Sequence, residues 1–314
     1  MRKLIFFFCI LFSGTILAQD VHFSQFHFSK STTNPSLMHY QENDYEINLQ
    51  RRSQWSSVSI PFKTLLISFN AKNLYKNISI GATLLNDEGG DAYFSTDGIS
   101  LLLSRSIKIK KKIFAVGIQT SFYNRSLNYD ELIFNEDEFL DFRNFSFIDF
   151  SFGFSAISQI SKSSKLISGC SAYHLNRPRQ SFYSTKQVYL SPKYILHSSY
   201  SKILSNKIEL HPTIYFSKNE SESELIIGSG IIYKLNKKLN LKSGFYNRIK
   251  DAVFFTLGIQ NENIQAVISY DINTSSLSNA SNSFGGLEFV ISYGWNIKKN
   301  IINNNSLLIC PKYL

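Results

Sequence analysis

Between Ile148 and Ala156 apolar and polar residues alternate without a break. Ile148, Phe150, Phe152, Phe154 and Ala156 take one set of positions, and Asp149, Ser151, Gly153 and Ser155 take the other. Successive side chains of a strand point to opposite faces. The segment 145–160 therefore predicts a strand with one hydrocarbon face and one polar face. The same period of two recurs at Leu65, Ile67, Phe69, then Ile78, Ile80, Ala82, Leu84, then Phe114, Val116, Ile118, Phe122. It is clearest near the end of the chain, at Val253, Phe255, Leu257, Ile259, at Ile264, Ala266, Ile268, Tyr270, and at Leu287, Phe289, Ile291, Tyr293, Trp295. Strict alternation over such lengths argues half-buried strands. The pattern predicts about fourteen, over 45–53, 63–72, 77–86, 95–107, 112–125, 146–160, 165–175, 192–204, 207–218, 223–235, 238–248, 252–261, 263–273 and 286–297.

The connections constrain the fold further. Those near 73–76, 108–111, 161–164, 205–206, 236–237 and 262 are tight. Those at 54–62, 87–94, 126–145, 176–191 and 274–285 are long, while 219–222 and 249–251 fall on the long side but are short. Short turns on one rim and long loops on the other mark a barrel of the bacterial outer membrane. In lipid every backbone polar group must be satisfied within the structure, so a spanning sheet closes on itself. The expected fold is all-β, a transmembrane antiparallel β-barrel of about fourteen strands. A large periplasmic sandwich or solenoid is the soluble alternative.

The chain has 314 residues, with Phe 27 and Tyr 17 against Met 2, a bias toward strands. No internal run is long enough for a spanning helix. Arg2 and Lys3 followed by the apolar run Leu4 to Leu17 predict a secretory signal over 1–18, with Ala18 last before cleavage. The remaining organisation is a segment 19–44, a barrel over 45–297 and a periplasmic tail over 298–314. Segment 19–44 is long enough to plug the lumen or cap its periplasmic side, with Phe23, Phe26 and Phe28 as the wedge. The net charge is +10, or +8 without Arg2 and Lys3. The lysines gather at turns, which argues solvated turn chemistry and no nucleic-acid interface. Cys170 and Cys310 remain after export, and a bridge between them is left open.

No catalytic constellation, cofactor site or metal site stands out. His174 follows Ser171 closely, but no further polar residue is in view to orient the imidazole, so a rim or lumen role is favoured over nucleophilic catalysis. The run Asn86 to Asp91 carries oxygen ligands but lacks the spacing of a calcium loop. Tyr129 to Asp141 is acidic with apolar residues between, as a solvated loop or a contact surface would be. The long loops 126–145, 176–191 and 274–285 are the candidate partner surface, with Tyr129, Phe134, Phe139, Tyr183, Tyr189 and Leu277 as anchors. The alternative is a passive or ligand-specific pore, whose charged constriction would draw on Lys202, Arg248 and Asp271.

Several motifs, in order, resemble one family. "FSQF" at Phe23–Phe26 with Asn34 and Pro35, then Arg52, Gln54 and Trp55 in "LQRRSQWSSVSIPFKT", then His174 in "SAYHLNRP" resemble the PorP/SprF proteins of type IX secretion. Tyr270, Asp271 and Glu288 in the closing hairpin, and Cys310 and Pro311 in "CPKYL", are similar to its ending. The resemblance implies a non-enzymatic outer-membrane component of Bacteroidota-type secretion and gliding machinery. It implies partners among other type IX and gliding proteins, and a secreted surface adhesin held or exported through its C-terminal sorting domain.

Overall fold

The computed structural model describes residues 21–54, 60–89, 94–128, 141–185, 187–275 and 284–297. Fourteen antiparallel strands close into a barrel. They are β1 (Tyr45–Gln54), β2 (Phe62–Tyr75), β3 (Ile78–Gly89), β4 (Phe94–Ile109), β5 (Lys112–Ser126), β6 (Asn144–Ser161), β7 (Ser164–Tyr173), β8 (Lys193–Ile203), β9 (Ile208–Lys218), β10 (Ser223–Lys234), β11 (Asn240–Arg248), β12 (Ala252–Gln260), β13 (Ile264–Asn273) and β14 (Phe284–Trp295). Each strand pairs with its sequence neighbours, and β14 returns to β1 with Tyr45 opposite Trp295 and Gln54 opposite Gly286. The fourteen strands expected from the alternation are all present. The largest boundary shifts are at the ends of β2 and β3, which run on to Tyr75 and Gly89.

Alternation places the faces as expected. On β6, Ile148, Phe150, Phe152 and Phe154 point outward and are exposed, while Asp149, Ser151 and Ser155 point inward and are buried. Leu101 and Leu257 stand 66% and 63% exposed on the outer wall, which only a hydrocarbon surrounding makes tolerable. Tyr45, Tyr293 and Trp295 stack at one rim, with ring centroids 5.4 Å apart for Tyr45–Trp295 and 5.7 Å for Tyr293–Trp295. Such a belt suits a membrane interface. Among the described residues no helix is long and apolar enough to cross a membrane, so crossing is by strands.

The rim that carries Tyr45 and Trp295 also carries the tight turns. Lys76 and Asn77 there take positive φ of 45° and 64°, as a two-residue turn matched to strand twist requires. The wall height is uneven. β6 has 18 residues, roughly 60 Å of strand at about 3.3 Å per residue, whereas β11 and β12 have 9 each, about 30 Å. The barrel is therefore tall along β4–β6 and low along β11–β12, which the short connection 249–251 joins.

Two apolar layers interrupt the polar interior. Phe26 packs with Tyr173, Ile195, Tyr215, Ile226, Tyr246 and Phe254. Leu37 packs with Ile157 and Ile167, flanked by Tyr40 and Ile113. Phe26 and Leu37 belong to the segment before β1, which contains a helical turn Lys30–Thr33 and a 3-10 turn Pro35–His39.

Candidate functional site

Residues 21–44 run along the inner face of the barrel, held at two places. The first is a cluster of charges built from strands distant in sequence. Arg52 near the head of β1 contacts Glu288 Oε2 at 2.9 Å through Nη1 and Asp271 Oδ2 at 2.8 Å through Nη2. Arg248 at the head of β11 reaches Asp271 at 3.2 Å, Glu224 at 2.8 Å and Asp251 at 3.2 Å. Arg52, Asp271 and Glu288 are each no more than 1% exposed. Charges so deeply buried are tolerable only when paired and hydrogen-bonded on their remaining atoms.

Ser24 and Gln25 complete that bonding. The Ser24 hydroxyl donates to Asp271 at 2.7 Å and accepts from Arg248 Nη2 at 2.8 Å and from Arg52 Nη1. The backbone N–H groups of Ser24 and Gln25 donate to the two oxygens of Glu288 at 2.8 and 3.0 Å. Gln50 Nε2 donates to Glu288 Oε1 at 2.7 Å. Gln54 sets its amide beside Arg52. Oriented by its hydrogen bonds, its carbonyl accepts from Arg52 Nη2 at 2.7 Å. Charge-assisted bonds of this kind are the strong ones. The FSQF stretch thus supplies to the strands what two arginines and two carboxylates lack by themselves.

The second hold is a row of notches. A Cβ on Gly153 would lie 2.0 Å from Asn34 Oδ1, and one on Gly117 would lie 2.5 Å from the Pro35 backbone. One on Gly169 would meet Asn34 Nδ2 at 2.7 Å, and one on Gly81 would meet Met38 Cε at 2.6 Å. The glycines on the inner face of β3, β5, β6 and β7 therefore make room for Asn34–Met38 against the wall. Asn34 uses every polar atom of its side chain. Nδ2 donates to the carbonyls of Phe154 at 3.0 Å and Cys170 at 3.1 Å and lies 3.0 Å from His197 Nε2. Oδ1 accepts from Ser36 N at 2.9 Å and Ser36 Oγ at 2.7 Å.

Phe23 and Phe26 are buried, and Phe28 is half-buried. Of the motif residues, Asn34 and Pro35 lie in the segment, Arg52, Asp271 and Glu288 bond to it and Gln54 bonds to Arg52, while Tyr270 faces outward. His174 stands apart at the exit of β7 with φ 58°. Its Nδ1 lies 3.1 Å from Asp149 Oδ1, so a polar partner exists where none was expected. Nucleophilic chemistry gains nothing, because the Ser171 hydroxyl donates to the Thr33 carbonyl at 2.6 Å. Lys202 is a correction. It shares the outward parity of Tyr194 and Leu196 on β8 and is exposed, so it cannot join Arg248 and Asp271 in a constriction. Asn86, Asp87 and Glu88 lie on β3, where alternation separates their side chains, and Asp87 accepts from Thr64 at 2.6 Å. Among the described residues no cluster of His, Cys, Asp or Glu could hold a metal ion. Cys170 is a free, exposed thiol on the outer face.

The loop between β7 and β8 folds back over the long-loop mouth. Phe182 meets Phe145 edge-on at 4.9 Å and Phe94 at 6.2 Å, and Arg125 lies over Phe94 and Phe147 at 5.9 and 5.3 Å. The Ser184 N–H and hydroxyl both donate to Asp141 Oδ2 at 2.6 Å, which holds that carboxyl below its ordinary range. Tyr189 is exposed with its hydroxyl on Gln187, while Tyr183 is half-buried. Tyr129, Phe134, Phe139, Leu277, Trp55, Cys310 and Pro311 lie outside the described residues, as do the predicted signal 1–18 and tail 298–314. Toward the other mouth a cavity of about 540 Å³ opens between the segment and β7–β14, lined in part by His27, Lys30, Lys165, His211, Lys242 and Tyr246.

The barrel is similar to solved outer-membrane proteins. A Pseudomonas aeruginosa FadL homologue matches with TM-score 0.51 at 9% identity, over 85% of this chain and 94% of that one. The toluene transporters TbuX of Ralstonia pickettii and TodX of Pseudomonas putida match with TM-score 0.53 at 9% identity, over 84% and 87% of this chain and 92% and 94% of theirs. At such identity the likeness is one of fold. No curated protein sequence matches the chain. The family described as type IX secretion system membrane protein PorP/SprF matches residues 16–293, and the chain belongs to it, an outer-membrane component of type IX secretion.

Proposed function

We propose that this barrel is a non-enzymatic anchor or export aid for a large cell-surface adhesin, engaged through the adhesin's C-terminal sorting domain, within secretion and gliding machinery. The contacts fall on loops 126–145, 176–191 and 274–285, with Tyr189 exposed on one of them. The observation that carries the reading is the occupied interior. Segment 21–44 is bonded to strands on both sides of the lumen, through Glu288 and Asp271 on one side and Phe154 and Cys170 on the other. A barrel whose lumen is filled in this way serves better as a scaffold than as a free channel. Replacing the three loops with short Gly-Ser turns tests it. Adhesin display on cells is lost while the barrel still assembles; unchanged display refutes the reading.

The cavity of about 540 Å³ favours a second reading, a ligand-specific pore with segment 21–44 as its plug. Deleting 21–40 and recording conductance in planar bilayers separates the two. New current on deletion supports a plugged pore, and no new current excludes a plug.

A further inference from the structure

Charge is spread unevenly over the rim of tight turns. Lys110 and Lys111 form the β4–β5 turn, and Lys237 and Lys238 lie on the β10–β11 turn. Lys76, Lys162 and Lys207 stand on the other three of these five successive turns. All are exposed, and among the described residues none has a carboxylate partner. The exposed acids of this rim, Glu42 and Glu262, lie outside that run of turns, beside β1 and between β12 and β13. Solvation accounts for the lysines but not for their neighbours. Leu74, Tyr75, Ile107, Ile109, Leu204 and Leu235 are exposed on the same rim, Tyr75 by 63%. Cations and hydrocarbon interleaved in this way match a lipid headgroup layer, where charged ends reach phosphates and the rest stays at the apolar edge.

Arg105 is the sharpest instance. Alternation on β4 turns it outward with Leu103 and Ile107, and pairing sets it between Ile78 on β3 and Val116 on β5. It is exposed on a wall that faces acyl chains, and among the described residues no carboxylate or hydrogen-bond acceptor reaches it. A guanidinium there is tolerable only near the interface and with an anion in reach. Arg105 lies four residues before the end of β4, about 10 Å from the turn for a tilted strand, which meets the first condition. Its neighbours supply no anion but more donors. Tyr75 and Lys76 belong to the adjacent hairpin, whose Asn77 carbonyl accepts from Ser106 N at 3.0 Å. Lys112 shares the outward parity of Phe114 and Val116 on β5.

We infer that the lipid-facing foot of β2–β5, around Arg105 with Tyr75, Lys76 and Lys112, is a docking site for the headgroup phosphate of an anionic phospholipid. The acyl chains lie along Leu103, Ile107 and Val116. Short turns of such barrels face the periplasm, so the leaflet they meet is the phospholipid one. The inference needs the outer-membrane barrel and neither reading of its lumen.

The test reconstitutes the full-length exported protein in nanodiscs with phosphatidylcholine in excess over phosphatidylglycerol. The protein is then released into mild detergent, and the lipid it retains is identified by native mass spectrometry. Phosphatidylglycerol is expected to be enriched about fivefold or more over its share of the disc, since each cation near an anionic surface is worth about that factor. Arg105→Leu combined with Lys76→Gln and Lys112→Gln is expected to remove most of the enrichment, and Arg105→Leu by itself leaves a hydrocarbon wall that assembles and shows part of the loss. Lys63→Gln with Lys218→Gln and Lys250→Gln, all exposed at the opposite rim, is expected to leave it unchanged. In the unaltered protein, salt at about 1 M, which screens charges beyond about 3 Å, lowers the enrichment without any substitution. No enrichment in the unaltered protein leaves the basic turns to water or to an acidic protein face and overturns the inference. So does an enrichment that survives both the triple variant and high salt, or one that the opposite-rim variant removes equally.

Discussion

Gly153 is where the seating of the amino-terminal segment is most exposed to a single change. In an ordinary strand Gly→Ala is neutral or favourable, since glycine weakens strands. Here the added Cβ would sit 2.0 Å from Asn34 Oδ1 and 2.9 Å from Pro35 Cδ. Ordinary contact begins at 3.4 Å, so the turn must retreat by 3.4 − 2.0 = 1.4 Å. That displacement breaks the bonds of Asn34 Nδ2 to Phe154 and Cys170, and disturbs its acceptance from Ser36. At about 1 kcal/mol net for each of three bonds the cost is about 3 kcal/mol, roughly a hundredfold in the ratio of seated to unseated segment. Lys30 is buried in the seated state, so trypsin cleavage after it in detergent-solubilised protein reports the unseated fraction. Gly153→Ala is expected to speed cleavage by that factor. Gly230→Ala, where the nearest atom is the Tyr246 hydroxyl at 3.2 Å, is expected to leave it unchanged. In an Asn34→Ala background the same change should add less than about 1 kcal/mol, because the two residues share one contact. Equal increments in both backgrounds, or no acceleration at all, would refute the notch.

Arg52→Ala leaves Asp271 and Glu288 short of a buried partner and is expected to cost about 3–5 kcal/mol, read as the same tryptic release. Arg52→Lys recovers only part of this, since one ammonium cannot serve both carboxylates as the fork does. Phe150→Arg on the outer wall should cost about 2–4 kcal/mol and reduce the heat-modifiable folded band on gels, whereas Phe150→Leu should not. Asp141 has its carboxyl held low by Ser184, so the contact it makes is present at neutral pH and is lost as pH falls through that lowered value. Proteolysis of loop 174–192 should therefore rise in acid, and Asp141→Asn should abolish the pH dependence.

The strands were legible because two solvents enforce them. Lipid on one side and a polar lumen on the other require a period of two over every crossing, and the parity of long and short connections follows from closure. The interior was legible only in part. On the polar face Gly117, Gly153 and Gly169 are seats for Asn34 and Pro35, and nothing local to a strand says what will lie against it. The partner of His174 could have been found by folding the β6–β7 hairpin about its turn, which sets Gly153 opposite Ser171 and carries Asp149 to the level of His174. Lys202 could likewise have been placed by parity alone. The joining of Ser24 to Arg52, Arg248 and Asp271 carried no such signal, because it depends on how the sheet closes and on a segment outside the sheet.

The last strand meets the first without a hairpin to set their alignment. Residues 45–54 must find 286–295 across nearly the whole chain, and closing so long a loop costs about 5 kcal/mol of chain entropy. A slip by one residue would turn every oily side chain of β14 inward. Arg52 and Glu288 stand directly opposite each other in that pairing and bond only when it is aligned, with Ser24 and Gln25 bonding at the same place. The buried charges thus act as a key for the final zip. A chain that mispairs its ends strands an arginine and a carboxylate away from water, so insertion and correct closure become one event.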